Sequence, residues 1–348
     1  MRVLITGITG QDGSYLAEFL LEQGHEVFGL KRRTSLFNTQ RIDHIYKDSH
    51  LQGKGLRLVH GDMSDASSLQ RAIYEVKPNR IYNLAAQSHV AVSFDEPEYT
   101  ADATGLGTLR LLEAIRNLHA ENDIRFYQAS TSELFGGQTR SLLNEDSSFS
   151  PRSPYAAAKM YAHTLTRNYR EAFDMFAVNG ILFNHESPRR GPTFVTRKIT
   201  MGLANIMVGS TMPIYLGNLD AIRDWGHAKD YVRAMNLILE APMPKDYVVA
   251  TGKGHSIREF LEVACSFLNL ETEFRGVGID EVMVEKKTQR ILVKIDKSYF
   301  RPLEVNHLIG DSTLIRDELG WKPIISFEQL VEEMVTFDLL QAKERTIQ

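Results

Sequence analysis

The sequence predicts an α/β fold, a doubly wound parallel Rossmann sheet with a smaller, discontinuous C-terminal domain. Three observations carry this. Short apolar runs alternate with amphipathic stretches through the first half of the chain. The first apolar run leads directly into a glycine turn. Past Phe183 the alternation weakens. The predicted division is 1–185 for the sheet domain, with 224–251 returning to it, and 186–223 plus 252–348 for the second domain.

Arg2-Val-Leu-Ile-Thr6 is the first strand, and Gly7-Ile8-Thr9-Gly10-Gln11-Asp12-Gly13 follows it, ahead of a helical pattern from Ser14 to Gln23. The spacing is G-x-x-G-x-x-G. Such glycines let the backbone approach a pyrophosphate, and the helix N-terminus adds unpaired N–H groups and a favourable dipole. Glu26 to Leu30 is the second strand, followed by Lys31 and then Arg32-Arg33-Thr34-Ser35. An NAD-preferring fold places a carboxylate near this strand end; cations and hydroxyls suit the 2′-phosphate of NADP. Leu56 to His60 is the third strand, ending at Asp62-Met63. Asp62 suits either an adenine amino group or the cap of a helix starting near Ser64.

Pro78 to Ala86 reads as the fourth strand, opening into Gln87-Ser88-His89. Ala85 and Ala86 permit close approach of a ligand, and His89 reads as a pocket wall. One helix is expected from Tyr99 to Leu118, then a fifth strand from Ile124 to Ser130. In doubly wound sheets ligands lie beyond the strand C-termini. Gly7, Arg32, Asp62, Ala85 and Thr131 all fall there.

Composition is that of a globular protein, 43% hydrophobic and 24% charged, with a net charge of −4. Nothing in that balance recruits nucleic acid, and any anionic ligand must be held by local cations. Cys265 is the single cysteine, which excludes an internal disulfide and a cysteine-rich metal site; no metal is expected. No apolar run approaches the roughly 20 residues that span a membrane. The chain enters a strand at once, so no signal peptide and a cytoplasmic location are expected.

The chemistry gathers at Thr131-Ser132-Glu133 with Tyr155 and Lys159. Tyr155 and Lys159 are four apart and share one helix face. Alone, they suit a surface tyrosine and a solvated lysine equally well. Beside a nicotinamide they acquire a role: two positive neighbours should lower the Tyr155 pKa well below ~10, and a phenolate can deprotonate an alcohol as hydride leaves. Glu133 adds a second base. Oxidation to a ketone acidifies the neighbouring C–H, so a carboxylate there can drive elimination of a β-hydroxyl.

These segments resemble the extended short-chain dehydrogenase/reductases and, within them, the GDP-mannose 4,6-dehydratase family. The resemblance rests on Gly7 to Leu16, Tyr82 to Val90, Gln128 to Leu134, Pro151 to Lys159, Asn179 to Gly191, Leu216 to Asp220, Arg223 to Tyr231 and Tyr299 to Pro302. Asn184-His-Glu-Ser-Pro-Arg-Arg-Gly191 and Arg223-Asp-Trp-Gly-His227 are its most diagnostic parts. It implies C4 oxidation of a GDP-sugar, elimination of water across C5 and C6, and hydride return to C6. Thr131, Glu133, Tyr155 and Lys159 would be catalytic. NADP would lie on Gly7, Ile8, Thr9, Gly10, Gln11 and Asp12; on Arg32, Arg33, Thr34 and Ser35; on Asp62 and Met63; on Leu84, Ala85, Ala86, Gln87 and Ser88; and on Tyr99, Lys159, His185 and Arg190. The GDP-sugar would meet Ser88, Asn184, Lys198, Gly217, Arg223 and Arg301. The resemblance also implies a dimer of dimers, with the basic loop after Arg32 reaching a neighbouring cofactor site.

Lys198, Arg223 and Arg301 are the candidates to grip a diphosphate. In the C-terminal half, helices are expected from Thr193 and over 224–240, strands over 213–217 and 246–251, and no clear element over 281–293. The related dTDP-glucose dehydratases carry Asp-Glu where this chain has Ser132-Glu133, so Glu133 is expected to serve as both base and acid. Phe135 and the loop Gly136 to Leu143 depart from the family pattern and are expected to border the sugar, which leaves a GDP-heptose as an alternative substrate. A nucleotide-sugar epimerase or reductase would need the Tyr–Lys pair but no elimination base. A non-catalytic NADP sensor would have lost Tyr155 or Lys159.

Overall fold

The computed structural model describes residues 1–46, 55–119, 123–137, 141–300 and 302–347. Seven strands form one parallel sheet: β1 (Arg2–Thr6), β2 (Glu26–Lys31), β3 (Arg57–His60), β4 (Arg80–Asn83), β5 (Arg125–Ala129), β6 (Ala177–Leu182) and an edge strand, Tyr247–Val249. Their spatial order is Tyr247–Val249, β6, β5, β4, β1, β2, β3, and each adjacent pair is parallel. The chain winds outward from β1 in both directions, which creates a crevice beyond the strand C-termini.

The apolar runs are continuous because both faces of the sheet are covered. Val3, Ile5, Tyr82 and Tyr127 turn to one side, against helices Gln11–Glu22 and Ala228–Glu240. Leu4, Ile81 and Phe126 turn to the other, against helices Ala66–Val76 and Gly107–His119. A separate core joins helices Val195–Met207, Ile257–Phe267 and Phe327–Ile347 through Leu203, Phe260, Leu330 and Met334. Ile315 and Trp321 pack with the sheet rather than with that core. Among the described residues no helix is long and apolar enough to cross a membrane.

Several elements differ from expectation for identifiable reasons. β4 stops at Asn83 because the Thr6 hydroxyl takes the next two amides, Leu84 N at 3.1 Å and Ala85 N at 3.0 Å. The helix expected from Tyr99 is broken into Pro97–Thr100, a π-turn over Ala101–Leu106, and Gly107–His119. At Gly107 a Cβ would lie 2.9 Å from Met63 Cβ, so the wide turn and the missing side chain together bring the backbone past Met63. Asp62 does not cap the next helix: Asp65 does, through Ser67 N and Ser68 N, while Asp62 accepts from Ser64 N. Over 224–240 the helix begins only at Ala228, and Trp225–His227 is a strand paired with Asn184–Glu186. The unassigned stretch 281–293 holds two antiparallel strands, Val282–Glu285 and Ile291–Ile295, whose alternation is blurred by a register shift between Met283 and Val284.

Asp224 pins the loop that follows the edge strand. Fully buried, it accepts from Thr251 N (2.8 Å), Thr251 Oγ1 (2.6 Å), Gly252 N (2.9 Å) and Gly310 N (3.3 Å). Burial still pushes its pKa up, against those donors. Removing the carboxyl orphans three backbone amides at about 1–3 kcal/mol each. Asp224→Ala is therefore expected to lower the thermal midpoint by many degrees, while Asp224→Asn, which keeps one acceptor, loses less. Calorimetry checks this, and equal midpoints for wild type and Asp224→Ala would refute it.

Candidate active site

The glycine turn makes the floor. Gly7 adopts φ +69°, and a Cβ there would lie 2.9 Å from Ala85 N, so only glycine fits between β1 and β4. At Gly13 a Cβ would lie 2.4 Å from Gly7 O, which lets helix Gln11–Glu22 start flush against the turn. The helix has Gly10 as its N-cap and no side chain capping it, leaving first-turn amides for a ligand.

Beneath the turn lies a part-buried ion pair. His185 Nε2 is 2.9 Å from Asp12 Oδ2, and Nδ1 is 2.8 Å from Phe183 O. Both partners accept, so both ring nitrogens donate and the ring is an imidazolium. Burial works against either charge, yet the Asp12 carboxyl is held below its usual value and the His185 pKa is raised, because each stabilises the other. Gln11 adds bonds to His185 O (3.0 Å) and from Ser187 Oγ (2.8 Å). Arg41 ties Thr9 O to Arg189 O. The turn and the 183–190 segment are thus stitched into one unit.

Helix Pro154–Phe173 carries the reactive face. Ser153 caps it through Ala156 N, and Pro154 fills its first turn. Tyr155, Lys159 and His163 follow at four-residue intervals and all meet the end of β5. Lys159 Nζ donates to Ala129 O at 2.8 Å, and Ser130 Oγ lies 3.0 Å from His163 Nδ1. Thr131 Oγ1 accepts from Glu133 N at 3.2 Å, capping the 3₁₀ turn Ser132–Phe135. His163 is a neighbour of this face that sequence reasoning did not single out, although it continues the Tyr–Lys spacing by one more turn.

Thr131, Glu133, Tyr155 and Lys159 are all buried and line one cavity of about 630 Å³ that reaches the glycine turn at Gly7, Gly10, Gln11 and Asp12. Burial pushes the Tyr155 phenol up to about 12, with Thr131 opposing and Glu133 adding to the rise, and it pulls Lys159 down to about 8. The expected fall of the Tyr155 pKa is therefore not produced by the chain itself. The Lys159 ammonium is committed to Ala129 O and sits 6.0 Å from the Tyr155 ring centroid.

Other anticipated residues divide by location. Leu84, Ala86, Ser88, His185 and Arg190 line the same cavity, as do Asn184, Lys198, Gly217, Arg223 and His89. Arg190 lies over the Phe194 ring at 3.7 Å, and Lys198 Nζ lies 3.3 Å from the Tyr299 ring centroid. Arg223 is buried and donates to Ile222 O. Arg32 Nη1 donates to Tyr99 Oη at 2.7 Å, joining two anticipated residues outside the cavity wall, with Arg33, Thr34 and Ser35 exposed and likewise outside it. Ile8, Thr9, Asp62, Met63, Ala85 and Gln87 stand outside the cavity wall; Ile8 is core, and Ala85 N is spent on Thr6. Arg301 lies outside the described residues, as do residues 138–140 of the Gly136 to Leu143 loop. Phe135 does not border the cavity: it is buried against Phe149 and Phe183.

The wall fits a dinucleotide. The turn would be filled by any Cβ, and the buried Asn184 Oδ1 has no protein partner among the described residues. No group of three or more metal-ligating side chains exists among the described residues.

A family model described as GDP-mannose 4,6 dehydratase matches residues 4–334. A GDP-mannose 4,6-dehydratase of Vibrio cholerae serotype O1 is 56% identical, covering 99% of this chain and 95% of the relative. The Homo sapiens GDP-mannose 4,6 dehydratase is 54% identical, covering 97% and 91%. Among solved structures, a dTDP-glucose 4,6-dehydratase from Streptomyces venezuelae with NAD bound superposes at a TM-score of 0.79 and 25% identity, covering 97% of this chain and 96% of that one.

The ion pair sets a testable pH window. A raised His185 pKa means its contribution is complete below the ordinary value of ~6.5 and is lost as pH rises through the higher folded value. The lowered Asp12 pKa keeps the pair intact down past ~4. An NMR titration should place the His185 midpoint above 6.5 in the wild type. In Asp12→Asn, burial acts unopposed by the carboxylate, and the midpoint should fall below 6.5. A midpoint unmoved by that substitution would contradict the pairing.

Proposed function

The chain belongs to the GDP-mannose 4,6-dehydratase family, and on that premise we propose that it converts GDP-mannose to GDP-4-keto-6-deoxymannose and water using bound NADP. The observation that carries this reading is the single cavity joining Thr131, Glu133, Tyr155 and Lys159 to the glycine turn. A nicotinamide cofactor is supported by that turn and by the NAD held in the Streptomyces venezuelae relative. The preference for NADP rests on Arg32, Arg33, Thr34 and Ser35, where an NAD enzyme carries a carboxylate.

When bound, the nicotinamide supplies an acceptor for the C4 hydride, a donor to C6, and a positive charge that favours the Tyr155 phenolate. Tyr155 takes the proton of the C4 hydroxyl, and Thr131 holds the C4 oxygen. The C4 ketone acidifies C5–H. Glu133 removes that proton and passes it to the departing C6 hydroxyl, which leaves as water. With hydride handed back to C6, Glu133 would deliver a proton to C5 and Tyr155 would give up the one it took from the C4 hydroxyl, so protons and electrons balance as loss of one water with no net redox change. Lys198, Arg223 and Arg301 are assigned to the diphosphate, and Ser88, Asn184 and Gly217 to the rest of the GDP-sugar. The division at 1–185 with 224–251, against 186–223 with 252–348, follows the same assignment.

The exposed Leu36 and Phe37, beside the basic strand end, support a contact between copies in a dimer of dimers. A cytoplasmic location accords with the soluble GDP-sugar substrate. The burial of Phe135 away from the cavity removes one reason to prefer a GDP-heptose.

Incubation with GDP-mannose, GDP-heptose and dTDP-glucose, read by mass spectrometry, should show loss of 18 Da, the mass of one water, from GDP-mannose first. Glu133→Gln should bind cofactor normally and lose dehydration by about 10²–10⁴-fold, the range of a general base. Tyr155→Phe should accumulate no reduced cofactor in a single turnover. Dehydration at a wild-type rate by Glu133→Gln would remove it as the base.

A further inference from the structure

Three consecutive residues at the end of β5 are each held by one residue of the helix Pro154–Phe173. Ala129 O receives Lys159, Thr131 faces Tyr155, and Ser130 is held by His163. The first two grips belong to the reaction proposed above. The third has no part in it, although Ser130 lines the same cavity.

His163 is 2% exposed and Ser130 4%. Ser130 Oγ lies 3.0 Å from His163 Nδ1, and His163 Nε2 lies 3.9 Å from Asp246 Oδ2. Serine, histidine and aspartate in a row suggest a nucleophilic triad, but the geometry excludes one. Nε2 to Asp246 is too long for an orienting hydrogen bond. Asp246 is already engaged by Arg170 at 2.8 and 3.1 Å and by Asn179 N at 2.8 Å. Burial pulls the imidazole down to about 4, so it stays neutral near pH 7 and is a poor proton acceptor there.

A neutral ring donates at one nitrogen and accepts at the other. The Asp246 carboxylate on the Nε2 side favours the proton at Nε2, which leaves Nδ1 as the acceptor. Ser130 then donates its O–H to His163, which leaves the Oγ lone pairs to accept from a donor in the cavity that Ser130 lines. The backbone of Ser130 is fixed as well, its N–H donating to Gly180 O at 2.9 Å. Phe149 packs edge-on against the His163 ring at 5.1 Å between centroids and holds its plane.

We propose that Ser130, oriented by the positioning residue His163, is a hydrogen-bond acceptor in the cavity wall for an N–H or O–H of the bound reactants. Two groups of that chemistry enter the cavity under the proposed function, on which this inference rests: the carboxamide N–H of the nicotinamide and a hydroxyl of the sugar. The device is uncharged, so it orients a ligand without disturbing the neighbouring proton transfers.

The test compares Ser130→Ala, His163→Phe, His163→Asn and the Ser130→Ala/His163→Phe double variant in the full chain. Affinities for NADP and for GDP-mannose are measured by calorimetry, kcat/KM by water loss, and the folded fraction by thermal melting. Ser130→Ala and His163→Phe should each lower kcat/KM roughly tenfold, the scale of one neutral hydrogen bond. The double variant should fall no further, because both changes remove one interaction. His163→Asn, which can present an amide oxygen to Ser130, should recover most of the loss. Weakened NADP binding identifies the carboxamide as the partner, and weakened GDP-mannose binding identifies the sugar. Single variants with wild-type kcat/KM and both affinities intact would overturn the proposal. So would a double variant with additive losses, or a His163→Phe protein whose only defect is a lower melting temperature. A wild-type chain that binds both ligands but releases no water would count against the dehydratase reading alone, with the affinities still deciding on Ser130.

Discussion

The part-buried pair of Asp12 and His185 is the interaction on which the site depends. Asp12 belongs to the glycine turn and His185 to the strand Asn184–Glu186, so the pair joins the cofactor floor to the wall facing it. Two charges out of water cost several kcal/mol each and persist only when paired and fully hydrogen-bonded. Here both ring nitrogens and the carboxylate are satisfied, with Gln11 donating to Asp12 as well. Removing one partner strands the other as a buried charge. The two elements therefore form together, and Arg190 and Asn184 take their places on the cavity wall as a consequence.

Burial also governs the reactive end. Tyr155 is pushed up and Lys159 and His163 are pulled down, each toward its neutral form. A low-dielectric pocket strengthens every charge introduced into it. Under the proposed function, the phenol of Tyr155 would respond to a cationic nicotinamide brought into this pocket. Arg223, Lys198 and Arg190 border the same cavity. With a net charge of −4 the molecule has no global field to attract a diphosphate, so under the proposed function Lys198 and Arg223 would do so locally, while Arg190 is paired with Glu186 at 3.0 Å.

The parts of this arrangement legible in the sequence are those fixed by local chemistry. Continuous apolar runs read as strands because both faces of the sheet are buried, and the glycine turn reads as a ligand floor because strand and helix flank it. Tertiary constraints were not legible. β4 is cut short by the Thr6 hydroxyl, a residue 78 positions before Leu84. The π-turn after Tyr99 answers to Met63, and the Trp225–His227 strand exists only because Asn184–Glu186 lies beside it. Phe135 follows Glu133 closely in sequence yet faces the core, because the 3₁₀ turn sends the two side chains apart. His163 escaped notice for a different reason. Its signal, a third member of the Tyr–Lys face, carries meaning only once Ser130 is known to stand opposite.

That same 3₁₀ turn decides what the site can do. Thr131 is the last extended residue after β5, and by capping Glu133 N it starts the turn that brings the carboxylate back into the cavity. The turn must end at once, and Gly136 ends it with φ +70°. A Cβ at that position would lie 2.0 Å from Ser150 O, because Ser150 N is bonded to Leu134 O and holds the returning chain against the turn. Under the proposed function, Thr131, Tyr155 and Lys159 form the equipment of a dehydrogenase. The proposed elimination base, Glu133, is held by a four-residue 3₁₀ turn, closed at one end by a threonine hydroxyl and at the other by a glycine. A side chain at 136 would collide with Ser150 O and strain the closure of the turn that carries Glu133, so on the proposed reading the step from oxidation to dehydration depends on a residue with no reactive group.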